Sequence, residues 1–336
     1  MLVDSTLNAT ITGTTTAAAA IEAGGYDGIW LGETKHDPFM QSLQTVNATS
    51  RVTVGTGVAI AFGRSPMTLA NSGFDLARYS QGRFVLGLGS QIKPHIEKRF
   101  SMPWSHPAPR MREMILAIKA IWNAWQNEEP LAFRGDFYTH TLMTPFFSPT
   151  PHEFGPPPIA LAGVGVHMTE TAGEVCDGFL FHPFTTDTYM REVTIPALLR
   201  GRAKAGKPDL DGFTVSGPAF ACVGRDDTEM AAAVAGTKNQ IAFYASTPAY
   251  RPVLEMHGWG ELQTELGRMT RAGRWSEIGD LIDDEMLHAF AIVGTPSQVG
   301  VGLRERWGHI ATRLTLYATY KSDPTIWSEV IQELRD

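Results

Sequence analysis

Residues 28–39 read GIWLGETKHDPF, and this stretch contains both the structural and the chemical signal of the chain. Its first part, Gly28 to Gly32, is a short apolar run with the length of a β-strand that is buried on both faces. The next five residues, Glu33 to Asp37, contain two carboxylates, an ammonium group and an imidazole. An apolar strand that ends directly in polar side chains is typical of parallel-sheet enzymes, whose chemistry lies at the carboxyl ends of the strands.

Seven further apolar runs alternate with segments of helical period, which is the pattern of βα units around a parallel sheet. With Gly28 to Gly32, the predicted strands are Leu2 to Asn8, Val52 to Val58, Arg83 to Gly89, Pro158 to Ala162, Gly178 to His182, Phe213 to Val223 and Thr312 to Thr319. Because the count reaches eight and no strand-to-helix turn carries a full dinucleotide fingerprint, we predict a closed (β/α)8 TIM barrel. A doubly wound open sheet is the competing architecture.

Helices are predicted between the strands, and the segment Arg110 to Trp125 has the clearest pattern. Its apolar residues recur every three or four positions, which predicts a core-facing stripe of Met111, Met114, Ile115, Ile118, Ile121, Trp122 and Trp125. The chain has 336 residues, more than the roughly 250 of a bare barrel. We therefore predict one domain over residues 1–336, with insertions at about 132–158 and 248–285 that cover the C-terminal mouth.

The composition restricts the class of partner. The chain has 28 basic and 35 acidic residues and no basic run, which disfavours nucleic acids and anionic membranes as partners. Two cysteines and the absence of HExxH or HxH motifs give no reason to predict a metal site. The start of the chain does not resemble a signal peptide, and no apolar stretch approaches about 18 residues. We expect a cytoplasmic protein that acts on a small molecule.

Glycines and small residues follow three other predicted strands, where backbone can approach a ligand closely. The segment Gly55 to Phe62 is apolar and suits a flat aromatic ring, and Gly89 is followed by the polar Ser90 and Gln91. Gly163 to His167 lead into a helix that we expect to begin near Met168. Free amides at a helix start attract phosphate, so these junctions together favour a phosphorylated cofactor.

Five segments in this order resemble the bacterial luciferase-like monooxygenase superfamily. They are GIWLGETKHDPF, GTGVAIAFGRSPMTLA, QGRFVLGLGS, FRGDFYTH and PIALAGVGVHMTETAGEVCDGF. Within the superfamily, the chain is most similar to actinobacterial oxidoreductases that use the deazaflavin coenzyme F420. The resemblance implies a (β/α)8 barrel with an insertion region, a flavin-type cofactor at the C-terminal mouth and a homodimer.

The resemblance also implies which residues contact the cofactor. Glu33 and Thr34 match residues that face the cofactor ring, and Gly57 and Val58 match a bulge, often with a cis peptide bond, behind the ring. Ile60 falls near the ring in the same loop. The polyol chain and the phosphate are matched by Gly89, Ser90 and Gln91, and by Gly163, Val164, Gly165, Val166 and His167, respectively.

One position departs from the pattern of the superfamily. The deazaflavin-dependent sugar-phosphate dehydrogenases carry a glutamate proton donor where this chain has Ile92, so a sugar-phosphate substrate is not predicted. His36 is the first candidate for the acid or base because an imidazole titrates near neutral pH. Glu33 can hydrogen-bond His36 or act directly, and His95 is the reserve candidate.

These observations predict hydride transfer between coenzyme F420 and a small organic substrate. The nearest alternative is an FMN-dependent luciferase-like monooxygenase, which acts on paired donors with O2. An alternative from another class is a barrel that binds a phosphorylated ligand without converting it. The clustered charges between Glu33 and Asp37 favour catalysis over binding alone.

Overall fold

Twelve β-strands form the framework of the computed structural model, which describes residues 1–335. They are β1 (Leu2–Thr6), β2 (Gly28–Leu31), β3 (Thr53–Thr56), β4 (Ala59–Ile60), β5 (Phe84–Gly89), β6 (Phe133–Arg134), β7 (Thr139–His140), β8 (Ile159–Ala162), β9 (Gly178–Leu180), β10 (Thr214–Val223), β11 (Ala291–Gly294) and β12 (Arg313–Tyr317). All eight predicted strands are present, with ends that differ by at most two residues.

Helices follow most of these strands along the chain. They are α1 (Thr14–Ala23), α2 (Pro38–Ala48), α3 (Pro66–Tyr79), α4 (Lys93–Lys98), α5 (Pro107–Gln126), α6 (Val166–Val175), α7 (Asp187–Tyr189), α8 (Ile195–Lys204), α9 (Asp227–Ala245), α10 (Arg251–Met256), α11 (Gly260–Arg271), α12 (Asp284–Phe290), α13 (Pro296–Trp307) and α14 (Ile326–Arg335). Within residues 1–335, no helix combines the length and the apolar character that a membrane span requires.

The strands of the main sheet pair in parallel, whereas β6 and β7 form a separate antiparallel hairpin, and the predicted (β/α)8 TIM barrel is confirmed. Four strands were not predicted: β4, which pairs with β5; β11, which pairs with β10 through Phe220 and Ala291; and β6 and β7, which pair with each other. Strands β4, β6 and β7 have two residues each, too few for the apolar run by which the other strands were identified.

The chain divides into two compact units, and the first consists of Ser5–Leu180 with Ala197–Thr214. In this unit the parallel order is β2-β3-β5-β8-β9.

The predicted stripe on α5 is core, since each of its seven residues is at most 2% exposed. The indole Nε1 of Trp122 donates to the carbonyl of Ala70 on α3 at 2.9 Å. Gly73 leaves room for this ring, because a Cβ there would lie 2.8 Å from it.

The second unit consists of Met1–Asp4, Phe181–Pro196 and the chain from Val215 onward. Its strands β11, β10, β12 and the start of β1 are neighbours in that order. Side chains from β10, β11 and helices α9 to α12 form its main core, which includes Phe184, Phe220, Ile241, Leu254, Leu266 and Phe290.

The two predicted insertions differ in their local structure. Residues 132–158 contain the β6–β7 hairpin and one 3-10 turn, whereas residues 248–285 contain α10, α11 and the start of α12. The assignment of residues 1–336 to a single domain stays a prediction.

We predict that Asp4→Ala lowers the free energy of unfolding by about 3 to 5 kcal/mol, because it leaves the charge of Arg313 without its buried partner. Asp4 is fully buried, and its carboxylate accepts two hydrogen bonds from Arg313, at 2.8 and 2.7 Å. Urea unfolding followed by tryptophan fluorescence measures the effect. The control Glu265→Gln breaks an exposed ion pair with Arg268 and should leave the midpoint unchanged. Equal midpoints for Asp4→Ala and wild type would contradict the prediction.

Candidate active site

An ion cluster at the carboxyl end of β2 joins Glu33 and Asp37 through Arg64. The Arg64 guanidinium lies 2.6 Å from Glu33 Oε2 and 2.8 Å from Asp37 Oδ2. Glu33 Oε2 also accepts the backbone N–H of Ile60 at 2.7 Å, and the side chain of Glu33 is only 7% exposed. One carboxylate therefore holds the end of β2 against the loop that follows β3.

The charges in this cluster stabilise one another. Burial acts to lower the pKa of Arg64, but the hydrogen bonds and charges of Glu33 and Asp37 outweigh it and raise this pKa above its ordinary value. Asp37 also caps helix α2, since its Oδ1 accepts the N–H groups of Phe39 and Met40 at 2.9 and 3.3 Å. Arg64 thereby connects the start of α2 to the end of β2.

The loop after β3 has the backbone that the resemblance implied. The peptide bond between Gly57 and Val58 is cis, as predicted. The N–H of Gly57 donates to Leu31 at 2.8 Å, and the carbonyl of Val58 accepts the N–H of Glu33 at 3.2 Å. Gly57 is exposed and Val58 is half-buried, so this bulge presents backbone and an apolar side chain.

The end of β5 lies directly beside this loop. Ile60 of β4 pairs with Gly89, and a Cβ on Gly89 would come within 2.6 Å of Val58 Cγ2. A glycine is therefore required at this position for the two segments to touch. Ser90 Oγ donates to the carbonyl of Gln91 at 3.0 Å, and Gln91 has a left-handed backbone with φ of 59°.

The end of β8 is the next strand end along the sheet, because Leu88 of β5 lies opposite Leu161 of β8. Helix α6 begins at Val166, two residues before Met168, near which it was expected to begin, and Gly165 is its N-cap. Its first amides, those of Val166, His167 and Met168, have no intrahelical acceptor. The space around a Cβ on Gly165 is open to 4 Å.

The candidate acid and base residues lie in different environments. The His36 ring is half-buried and makes no hydrogen bond to any of residues 1–335, so its nitrogens are available to a ligand. His95 is exposed on the short helix α4. Thr34 is exposed, and its carbonyl accepts a hydrogen bond from Arg99 at 3.1 Å. Glu33 is already occupied by Arg64 and Ile60, which suits positioning better than proton transfer.

The structure thus brings the ends of β2, β3, β5 and β8 side by side, and with them most of the predicted residues. Sequence reasoning missed Arg64, which directly follows the glycine-bearing loop. A buried carboxylate needs a cationic partner, and an arginine closing an apolar loop was the available signal. The aromatic side chains of Phe62 and Phe220 are core residues, at most 1% exposed.

The sequence profile of the luciferase-like monooxygenase family matches residues 3–312, and the chain belongs to this family, as the resemblance predicted. An uncharacterized protein of Mycobacterium tuberculosis is 53% identical over 298 residues, which is 89% of this chain and 87% of that protein. A 5,10-methylenetetrahydromethanopterin reductase of Methanolobus tindarius is 28% identical over 293 residues, 86% of this chain and 84% of the reductase.

A solved structure has the same fold over nearly its whole length. It is the coenzyme F420-dependent tetrahydromethanopterin reductase from Methanopyrus kandleri, with a TM-score of 0.80, 19% identity, and coverage of 98% of this chain and 96% of that chain. Family and relatives together make this protein a luciferase-like oxidoreductase.

We predict that Arg64→Ala destabilises the protein by about 3 kcal/mol, because it leaves the buried Glu33 carboxylate without its cation. A double-mutant cycle with Glu33→Gln, measured by urea unfolding, isolates the interaction between the two side chains. The matched control is Lys35→Ala, which removes an exposed cation from the same stretch and should have no effect. Strictly additive losses in the cycle would contradict the ion pair.

Proposed function

We propose that this protein is a coenzyme F420-dependent oxidoreductase that transfers a hydride between the deazaflavin and a small organic substrate. The observation that carries the proposal is the contact between the strand ends: the apolar bulge at Val58 fills the space that Gly89 leaves. An apolar, backbone-rich surface of this kind fits the face of a tricyclic ring. The similarity to reductases supports the same conclusion.

The residues present fit such a cofactor along its length. Gly57, Val58 and Ile60 would support the ring, and Ser90 and Gln91 would bind the polyol chain. The open N-terminus of α6, from Gly163 to His167, would bind the phosphate through free amides and the positive end of the helix dipole. When bound, the deazaflavin supplies the hydride chemistry.

The chain itself contributes orientation and a proton. The pair of Glu33 and Arg64 fixes the end of β2 relative to the loop after β3, which positions the residues from Thr34 to His36. His36 holds or accepts the proton that accompanies hydride transfer, since its ring nitrogens have no partner within residues 1–335. His95 remains the reserve candidate for this role. The homodimer implied by the resemblance stays a prediction.

A titration of the purified protein with oxidised F420 and with FMN, followed by cofactor absorbance and fluorescence, tests the cofactor assignment. We expect at least tenfold tighter binding of F420, about 1.4 kcal/mol. Preference for FMN would favour an FMN-dependent monooxygenase instead. If the protein binds F420 but no donor reduces it and no acceptor oxidises it, the alternative of a barrel that binds its ligand without converting it would be favoured.

The same titration with the Gly165→Ala variant tests the predicted phosphate site. The added methyl group meets no protein atom within 4 Å, so the protein should remain folded, but the methyl group would occupy space next to the predicted phosphate site. We expect at least a tenfold loss of F420 affinity. The control is Gly267→Ala on α11, where the methyl group would make only ordinary contacts. Unchanged F420 affinity in Gly165→Ala would contradict the binding of the phosphate at the N-terminus of α6.

The proton assignment predicts that His36→Asn lowers kcat about 100-fold or more while the affinity for F420 stays unchanged. Steady-state kinetics with an acceptor that the wild type reduces measures the first quantity, and cofactor titration measures the second. His95→Ala is the comparison variant and should retain turnover. Full turnover in both variants would show that neither imidazole moves the proton.

A further inference from the structure

A second group of polar side chains lies in the unit of residues 181–196 and 215–335, and the site described above does not use it. His182 Nε2 lies 3.0 Å from the hydroxyl of Tyr250, and their rings stack with centroids 4.5 Å apart. Tyr244 packs edge-on against His182 at 4.6 Å, and its hydroxyl lies 2.7 Å from that of Tyr317. All four side chains are half-buried, so each of them is partly exposed to solvent.

The hydrogen bonds of His182 determine its tautomer. The backbone N–H of Phe184 donates to His182 Nδ1 at 3.1 Å, and a backbone amide can only be a donor. Nδ1 therefore carries no proton, and in the neutral imidazole the proton is on Nε2. It follows that His182 Nε2 donates to the oxygen of Tyr250 and that Tyr250 is the acceptor in this bond.

Tyr250 consequently keeps its own proton for another acceptor. Apart from His182, no residue in the described part of the chain, 1–335, forms a hydrogen bond with this hydroxyl. The hydroxyls of Tyr244 and Tyr317 differ from that of Tyr250, because they bond each other and the Tyr244 hydroxyl also bonds the side chain of Gln240. The cluster presents at least one O–H donor whose direction is set by a neighbouring histidine.

The cluster is uncharged near neutral pH. Burial lowers the pKa of His182 to about 4 and raises the pKa of Tyr250 to about 12. Burial also raises the pKa of Tyr244 and of Tyr317. A ligand at this surface would therefore meet aromatic faces and neutral donors, which favour an uncharged molecule over a carboxylate or phosphate.

We infer that Tyr250 is a ligand-binding residue whose hydroxyl donates a hydrogen bond to the carbonyl oxygen of a flat, uncharged molecule, with His182 as the residue that positions it. Tyr244 and Phe184 supply aromatic surface: Phe184 lies 5.5 Å from the Tyr250 ring and 6.3 Å from the Tyr244 ring. Direct hydrogen bonding to a carbonyl selects ketones and enones over hydrocarbons of the same shape.

The test uses acetophenone as the probe, with ethylbenzene as the analogue that lacks the carbonyl oxygen. Ligand-observed NMR with the cofactor-free protein should show that Tyr250→Phe weakens acetophenone binding tenfold or more and leaves ethylbenzene binding unchanged. The matched control is Tyr79→Phe, which removes an exposed hydroxyl paired with Asn47 and should bind both probes as the wild type does. Equal affinity of wild type and Tyr250→Phe for acetophenone, or no binding by wild type at millimolar concentrations, would overturn the inference.

A second measurement tests the hydrogen-bond direction without any ligand. Two-bond ¹H–¹⁵N NMR spectra should show His182 as the neutral tautomer with its proton on Nε2 from pH 5 to pH 8, with the signals assigned by comparison with His182→Gln. A proton on Nδ1 would overturn the inference. The proposed function has a separate readout, since Tyr250→Phe should bind F420 as tightly as wild type. Loss of F420 binding by the wild type would contradict the function and leave the acetophenone result standing.

Discussion

Parallel pairing of the strands is the constraint on which both the fold and the candidate site depend. In a parallel sheet, adjacent strands point the same way, so the residues after β2, β3, β5 and β8 leave the sheet at neighbouring positions. Register fixes these positions closely, as the pairing of Ile60 with Gly89 illustrates. Segments far apart in the chain are thereby assembled into one surface.

The buried carboxylate of Glu33 fixes the end of β2 relative to the loop after β3. An ionised group with 7% exposure is unfavourable unless charge and hydrogen bonds compensate it, and Arg64 and the amide of Ile60 provide both. These contacts require the loop after β3 to take one position relative to the end of β2. The Glu33 carboxylate, a catalytic candidate in the sequence, is thus occupied by Arg64 and Ile60, and the ring nitrogens of His36 make no hydrogen bond within residues 1–335.

The two polar groups described here differ in electrostatic character. The group around Arg64 is charged and paired, whereas the group around His182 is neutral because burial penalises charge on its imidazole and its phenols. Paired charges can hold two backbone segments in one position. Neutral donors beside aromatic rings can instead bind an uncharged organic molecule.

Local pattern in the sequence determined the eight main strands, the core stripe of α5 and the glycine-rich strand ends, because alternation, helical period and glycine placement act over a few residues. The cis bond between Gly57 and Val58 was expected from the resemblance to a family. Only the tertiary structure decided which polar groups meet. Arg64 is 31 residues from Glu33, and Tyr250 is 68 residues from His182. No periodicity extends over such distances, and the partner of each buried polar group is set by strand register and helix packing.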